Sequence, residues 1–149
     1  MNKIQYNLTH KKNTIDNCVI INIPTIIDHR GNLAVVENDL LPFKMKRVYY
    51  LFNIPAGAYR GGHAHKKQLE FLIAVSGSFK VLLNDGKQKK EILLNRPDKG
   101  LLIPTGIWRE LEDFSQGSVC MVINSDTFDE NDYIRNYQEF LNLFNQKNN

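Results

Sequence analysis

The chain has 149 residues, 42% of them hydrophobic and 23% charged, which fits one globular domain with a real core and is too short for two comfortable ones. No apolar run approaches the length of a bilayer span, and the first seventeen residues lack the apolar centre and small-residue cleavage site of an export signal, so a soluble cytoplasmic protein is expected. The net charge of +3 comes from scattered Lys and Arg, which argues against a nucleic-acid face while favouring a small anionic ligand.

Residues 1–17 are polar and weakly patterned, and read either as a frayed arm or as a strand exchanged with a second subunit. From Cys18 to about Asp126, short β-branched or aromatic runs alternate with turn residues. VIINIP, NLAVVE, RVYYLF, FLIAVSG, FKVLLNDG, KEILLN, GLLIP and SVCMVINS predict at least eight strands. Asp85-Gly86 within NDGK carries a hairpin signal, so the runs on either side should be antiparallel neighbours. The basic knot at Lys87, Lys89 and Lys90 falls on that turn and reads as a solvated loop. Many short, evenly spaced strands with little helical periodicity among them predict an all-β sandwich or barrel of the jelly-roll kind.

The tail differs. In DENDYIRNYQEFLNLFNQ, Tyr133, Tyr137, Phe140, Leu141 and Phe144 recur at three- and four-residue intervals behind acidic residues, which predicts one amphipathic helix over about 129–146 packed on a sheet. Cys18 and Cys120 are far apart in apolar surroundings without the spacing of a zinc site, and both are expected to be buried and reduced.

The stretch RGGHAHKKQLE at 60–70 sets His63 and His65 two residues apart. On a strand, side chains at i and i+2 share one face roughly 6.5–7 Å apart, so both imidazoles can reach one small ligand. Gly61 and Gly62 just upstream remove side-chain bulk and permit a close approach of the backbone. A His-x-His pair is as readily structural as functional, so the pattern around it decides.

That pattern is His63-x-His65-x4-Glu70-x6-Gly77, followed by Gly100-x3-Pro104-x-Gly106-x2-Arg109. It resembles the two-part signature of the cupin superfamily, which implies a jelly roll. In metal-dependent cupins the ligands are the two histidines, the glutamate and a further histidine, at the position held here by Arg109. A guanidinium has no lone pair to give and repels a cation, so no metal is expected, although two histidines and a carboxylate would still suffice for a facial iron(II) triad. Glu70 reads as a pocket residue or a surface charge, with no role assigned.

The combination IIDHRGNLAVVEN, LPFKMKRVYYLF, RGGHAHKK, GLLIPTGIW and INSDTFDENDYIRNY is similar to the dTDP-sugar 3,4-ketoisomerases, small cupins that need neither metal nor other cofactor. The resemblance runs from about residue 26 to 140 and implies a jelly-roll homodimer, commonly with exchanged N-terminal strands, acting on dTDP-4-keto-6-deoxyglucose. Such a reaction moves a carbonyl from C4 to C3. The adjacent ketone acidifies the C3 hydrogen, and a neutral imidazole, with an ordinary pKa near ~6.5, suits its removal. His63 is the expected base, and His65, on the same face, the group that relays protons between O3 and O4.

The substrate's pyrophosphate calls for arginine forks and hydrogen-bond donors, and the resemblance points to Arg60 and Tyr49, with Arg47 and Arg30 as further candidates; each arginine also reads as a plain solvated charge. Arg109 departs from the ketoisomerase pattern, where a histidine would follow Trp108; it could hold a phosphate or a developing oxyanion instead. Trp108 itself reads as a stacking platform or a core residue. The Arg30-Gly31 dipeptide resembles the branch with a galacto product, a precursor of 3-aminosugars of surface glycans. The competing readings are a dTDP-sugar 3,5-epimerase, a non-catalytic sugar-binding regulatory cupin, and an iron-dependent dioxygenase.

Overall fold

The structure, a computed structural model, describes residues 12–37 and 39–145. Two five-stranded antiparallel sheets face each other, as expected of a jelly roll. The first runs, in spatial order, β1 (Val19–Asn22), β9 (Lys99–Ile103), β6 (Glu70–Ser76), β11 (Val119–Asn124) and β4 (Arg47–Leu51). The second runs β12 (Tyr133–Ile134), β5 (Arg60–His65), β10 (Trp108–Glu112), β7 (Phe79–Asn84) and β8 (Lys89–Leu94). A separate two-stranded ribbon joins β2 (Thr25–Asp28) to β3 (Gly31–Ala34).

Period-two patterning explains the layers. In β7, Phe79, Val81 and Leu83 point inward, where they meet Leu72, Ala74, Leu101, Ile103, Cys120 and Val122 of the first sheet in the principal core. The intervening residues of β6, β9 and β11, Phe71, Ile73, Leu102 and Ile123, face the other way and are covered by Ile23, Leu41 and their neighbours. The Asp85-Gly86 turn joins β7 to β8 as expected, with Asp85 accepting from the backbone N–H of Lys87 and Gln88. Cys18 and Cys120 are buried free thiols, and burial pushes both up to about 12.

Two expectations are corrected. The exchanged-or-frayed arm was drawn over residues 1–17; residues 1–11 lie outside the described residues, but Ile15–Asn17 form a 3₁₀ turn in which buried Ile15 donates its N–H to Asp85 Oδ2 at 3.0 Å. The helix begins eight residues later than about 129, as α1 (Tyr137–Asn145). The acidic residues that resembled its first turn instead build a 3₁₀ turn, Glu130–Asp132, capped by Asp129, after which Tyr133 and Ile134 pair with β5. A chain that can complete a sheet edge satisfies its backbone there rather than in a helix. From α1, Phe140 packs with Phe144 on Ala64, Trp108 and Ile134, on the outer face of the second sheet. Trp108 is therefore a core residue, its Nε1 donating to Glu110 Oε1 at 2.9 Å. No helix of the described residues is long and apolar enough to cross a membrane.

Candidate active site

The inward face of the second sheet contributes His63 and His65 from β5 and Arg109 from β10, where Arg109 and His63 are direct cross-strand partners. The first sheet contributes Tyr49 from β4, Glu70 from β6 and Asn124 from β11, with Asn124 opposite both Glu70 and Arg47. All of these except Tyr49 and Arg47 are buried. A polar cluster therefore sits between the sheets where an apolar layer would otherwise continue.

Gly61 explains how Arg109 reaches its place. Its φ of +75° belongs to the left-handed region, and a Cβ there would run into the Arg109 guanidinium. The pairing of β5 with β10 slips at the same point, between Arg109 and Leu111. Of the glycine pair upstream of the histidines, Gly61 thus makes room for a protein side chain, whereas a Cβ at Gly62 would meet only ordinary contacts.

Arg109 spans the gap between the sheets. Its Nε donates to Glu70 Oε1 at 2.9 Å and its Nη2 to Oε2 at 2.7 Å, a bidentate pair, while Nη2 also reaches the Tyr49 hydroxyl at 3.1 Å. That hydroxyl donates in turn to Glu70 Oε2 at 3.3 Å. Burial alone would raise the Glu70 carboxyl, but the Arg109 guanidinium overrides it and holds it well below the usual carboxylate range. Burial, reinforced by Glu70, pushes the Tyr49 phenol up, so it remains protonated.

Both histidine Nε2 atoms are buried without a hydrogen-bond partner among the described residues. They converge on one point: His63 Nε2 lies 3.9 Å and His65 Nε2 3.5 Å from Glu70 Oε1. Burial first, and the Arg109 charge second, pull the His63 imidazole down to about 2, so it is uncharged at neutral pH. His65 is held from behind, its Nδ1 lying 2.9 Å from Asp132 Oδ2. The Tyr133 ring packs against both imidazoles, at centroid distances of 4.8 and 4.4 Å, and its hydroxyl accepts from Arg47 Nη1 at 3.2 Å.

His63, His65 and Glu70 offer three ligand atoms within 4.8 Å of one another, the spacing of a facial metal triad. The donor set does not fit a cation. Both carboxylate oxygens are already paired with a guanidinium, and a metal ion at that point would have to face a fixed positive charge in a buried site.

Of the remaining candidates, Arg47 is half-buried and stacks over Tyr49 and Phe128, at 4.6 and 5.2 Å from their ring centroids. Arg60 opens β5 and is exposed. Arg30 stands apart from the cluster: it lies on the turn between β2 and β3, its side chain 79% exposed and bonded through two nitrogens to Asp28. In the sequence, Asp132 and Asn124 carried no role and Tyr133 only a place on the apolar stripe of the expected helix. The one signal pointing toward Asp132 and Tyr133 was the DENDYIRNY motif.

Residues 16–145 match the family model described as FdtA: WxcM-like, C-terminal. The chain is 47% identical over 122 residues, 81% of its length and 88% of the relative's, to the TDP-4-oxo-6-deoxy-alpha-D-glucose-3,4-oxoisomerase of Aneurinibacillus thermoaerophilus. Among solved structures, it is similar to the TDP-quinovose 3,4-ketoisomerase WlaRB of Campylobacter jejuni, with 49% identity, a TM-score of 0.81 and coverage of 85% of this chain and 98% of that one. It is also similar to the sugar 3,4-ketoisomerase QdtA of Thermoanaerobacterium thermosaccharolyticum in complex with TDP, with 37% identity, a TM-score of 0.87, and coverage of 91% and 100%. With matched motifs, fold and near-complete coverage in agreement, the chain belongs to the FdtA, WxcM-like C-terminal family of sugar-nucleotide 3,4-ketoisomerases.

Proposed function

We propose that this protein moves the ketone of dTDP-4-keto-6-deoxyglucose from C4 to C3 by proton transfer, without a metal. The single observation that carries the reading is the pair of buried, unpartnered Nε2 atoms of His63 and His65 aimed at one point beside a neutralised carboxylate. His63, uncharged, takes the C3 hydrogen as a proton, and the electron pair left behind flows onto O4. The enediolate that forms is negative, and its charge offsets the Arg109 field that otherwise disfavours a protonated His63. His65 passes the O3 proton towards O4, and C4 then receives a proton, which leaves the ketone at C3.

Arg60, exposed at the start of β5, and half-buried Arg47 are the groups of this chain suited to the pyrophosphate. A ketone at C3 is the group an aminotransferase would use next, consistent with a role in making 3-amino-3,6-dideoxysugars for surface glycans, in the cytoplasm.

The galacto expectation rested on Arg30-Gly31. Because Arg30 is exposed and engaged with Asp28, that dipeptide carries no argument about the pocket of its own chain. Similarity to the TDP-quinovose enzyme, quinovose being a gluco sugar, favours protonation of C4 on the face that gives the gluco product.

The working form is a homodimer in this reading. Among the described residues the β2–β3 ribbon has no third strand, and its Ile26, Ile27 and Leu33 are exposed, as are Val48, Tyr50 and Phe52 on and just after edge strand β4. Apolar surface of this kind calls for a cover, and a second copy of the chain would supply it.

The test is incubation with dTDP-4-keto-6-deoxyglucose in deuterated buffer, read by proton NMR. Deuterium at C4 of a new 3-keto isomer is the expected result, and a parallel reaction in ordinary water, where C4 keeps a proton, assigns the configuration from the H4–H5 coupling, large for gluco and small for galacto. A product that keeps its ketone at C4 and exchanges at C3 and C5 would mean epimerisation and overturn the reading.

A further inference from the structure

We propose that Asp132 is a positioning residue for the isomerisation: it locks His65 in the Nδ1–H tautomer, so that Nε2 alone faces the substrate and exchanges the relayed proton. The inference rests on the relay role of His65 given above.

Asp132 ends the 3₁₀ turn Glu130–Asp132, and its side chain is 3% exposed. Its carboxylate faces donors only. Oδ1 accepts the Lys67 N–H at 2.6 Å, and Oδ2 accepts the Gln68 N–H at 3.2 Å beside the His65 Nδ1 at 2.9 Å. Burial works against this charge, yet the His65 and backbone hydrogen bonds hold the carboxyl below its ordinary range, so Asp132 is ionised and accepts only. An acceptor-only partner at 2.9 Å requires the hydrogen to sit on Nδ1. The other ring nitrogen is then free to take a proton and give it back, and His65 Nε2, like His63 Nε2, has no hydrogen-bond partner among the described residues.

The backbone holds the geometry. Tyr133 pairs with His65 across β12 and β5, and Lys66 donates its N–H to the Asp132 carbonyl at 3.1 Å, so the carboxylate and the imidazole cannot drift independently. When Nε2 takes a proton, the carboxylate stabilises the imidazolium; when it gives the proton back, Nδ1–H remains in place.

The decisive measurement is the tautomer of His65, read by two-bond nitrogen–proton NMR correlation on histidine-labelled protein at neutral pH. The wild type should carry its fixed proton on Nδ1. Asp132→Asn should move it wholly or partly to Nε2 and lower kcat by about 10²-fold, with KM changed by no more than about three-fold. A structural role alone would not produce the third expected result: in a His65→Gln background, Asp132→Asn should cost less than about two-fold further in kcat. A wild-type spectrum with the proton on Nε2, an unchanged kcat in Asp132→Asn, or a loss that persists undiminished in the His65→Gln background would each overturn the proposal. If Asp132→Asn does not fold, the wild-type spectrum decides alone. The tautomer is measured without substrate, so the ketoisomerase reading, which fails if the wild type forms no 3-keto product, is tested separately.

Discussion

Arg109 and Glu70 meet across the two sheets as a bidentate ion pair, with contacts of 2.9 and 2.7 Å and with 3% and 2% of their side-chain surfaces exposed. Removing one partner leaves an uncompensated buried charge. Arg109→Leu should therefore lower stability by about 3–5 kcal/mol in urea unfolding at neutral pH, and adding Glu70→Gln should recover a large part of that loss. An additive double variant would show that the two charges are not coupled.

The same pair sets a pH dependence. Glu70 is held below its ordinary value of 4.5, so its stabilisation is complete above that pH and is lost as pH falls toward its lower folded value. His63 acts in the same direction from higher up: burial and Arg109 bring it from 6.5 to about 2, so the folded protein binds fewer protons there than the unfolded chain. Stability from His63 is full above pH 6.5 and erodes on acidification toward pH 2. His63→Gln should flatten the stability-against-pH curve below pH 6.5 by up to roughly 1.4 kcal/mol per pH unit. Parallel curves for the two proteins would contradict the neutral, buried imidazole.

Catalysis should depend on His63 in the same buried state. His63→Asn is expected to lower kcat by about 10²–10⁴-fold while TDP binding, measured calorimetrically, stays within about two-fold. Full activity in this variant would remove His63 as the base.

A cation has no unpaired carboxylate oxygen to bind in this cluster. Exhaustive chelation should accordingly leave turnover of dTDP-4-keto-6-deoxyglucose unchanged in an NMR progress curve. Lost activity that returns with iron(II) or zinc would refute the argument from the donor set.

Gly61 and Gly117 separate two effects of adding a methyl group. Both have positive φ, +75° and +72°, but a Cβ at Gly117 meets open space whereas one at Gly61 meets the Arg109 guanidinium. Gly117→Ala should cost only the backbone strain, about 1–2 kcal/mol. Gly61→Ala should cost more and also depress kcat, because it displaces the guanidinium from Glu70. Equal losses, with activity intact, would mean that the contact at Gly61 is irrelevant.

The strands β1, β3, β4, β6 to β9 and β11, the Asp85-Gly86 hairpin and the histidine pair were legible in the sequence because each depends on neighbours a few residues away, whereas β2, β10 and β12 were not among the runs read as strands. Alternation fixes which residues share a face, and a two-residue spacing is enough to put His63 and His65 together. The late start of α1 was not legible, since acidic residues ahead of an apolar periodicity suit a helix equally well until the open edge of β5 competes for Tyr133 and Ile134.

What the tertiary structure decided is the state of the charges. Glu70 could not be told from a surface carboxylate until the stacking of two sheets brought Arg109, 39 positions away, onto both of its oxygens. Asp132, 67 positions from His65, became its partner only through the pairing of β12 with β5. Local pattern specifies which side chains point inward, but their protonation and pairing depend on burial and on charges that only the packed chain brings within a few ångströms.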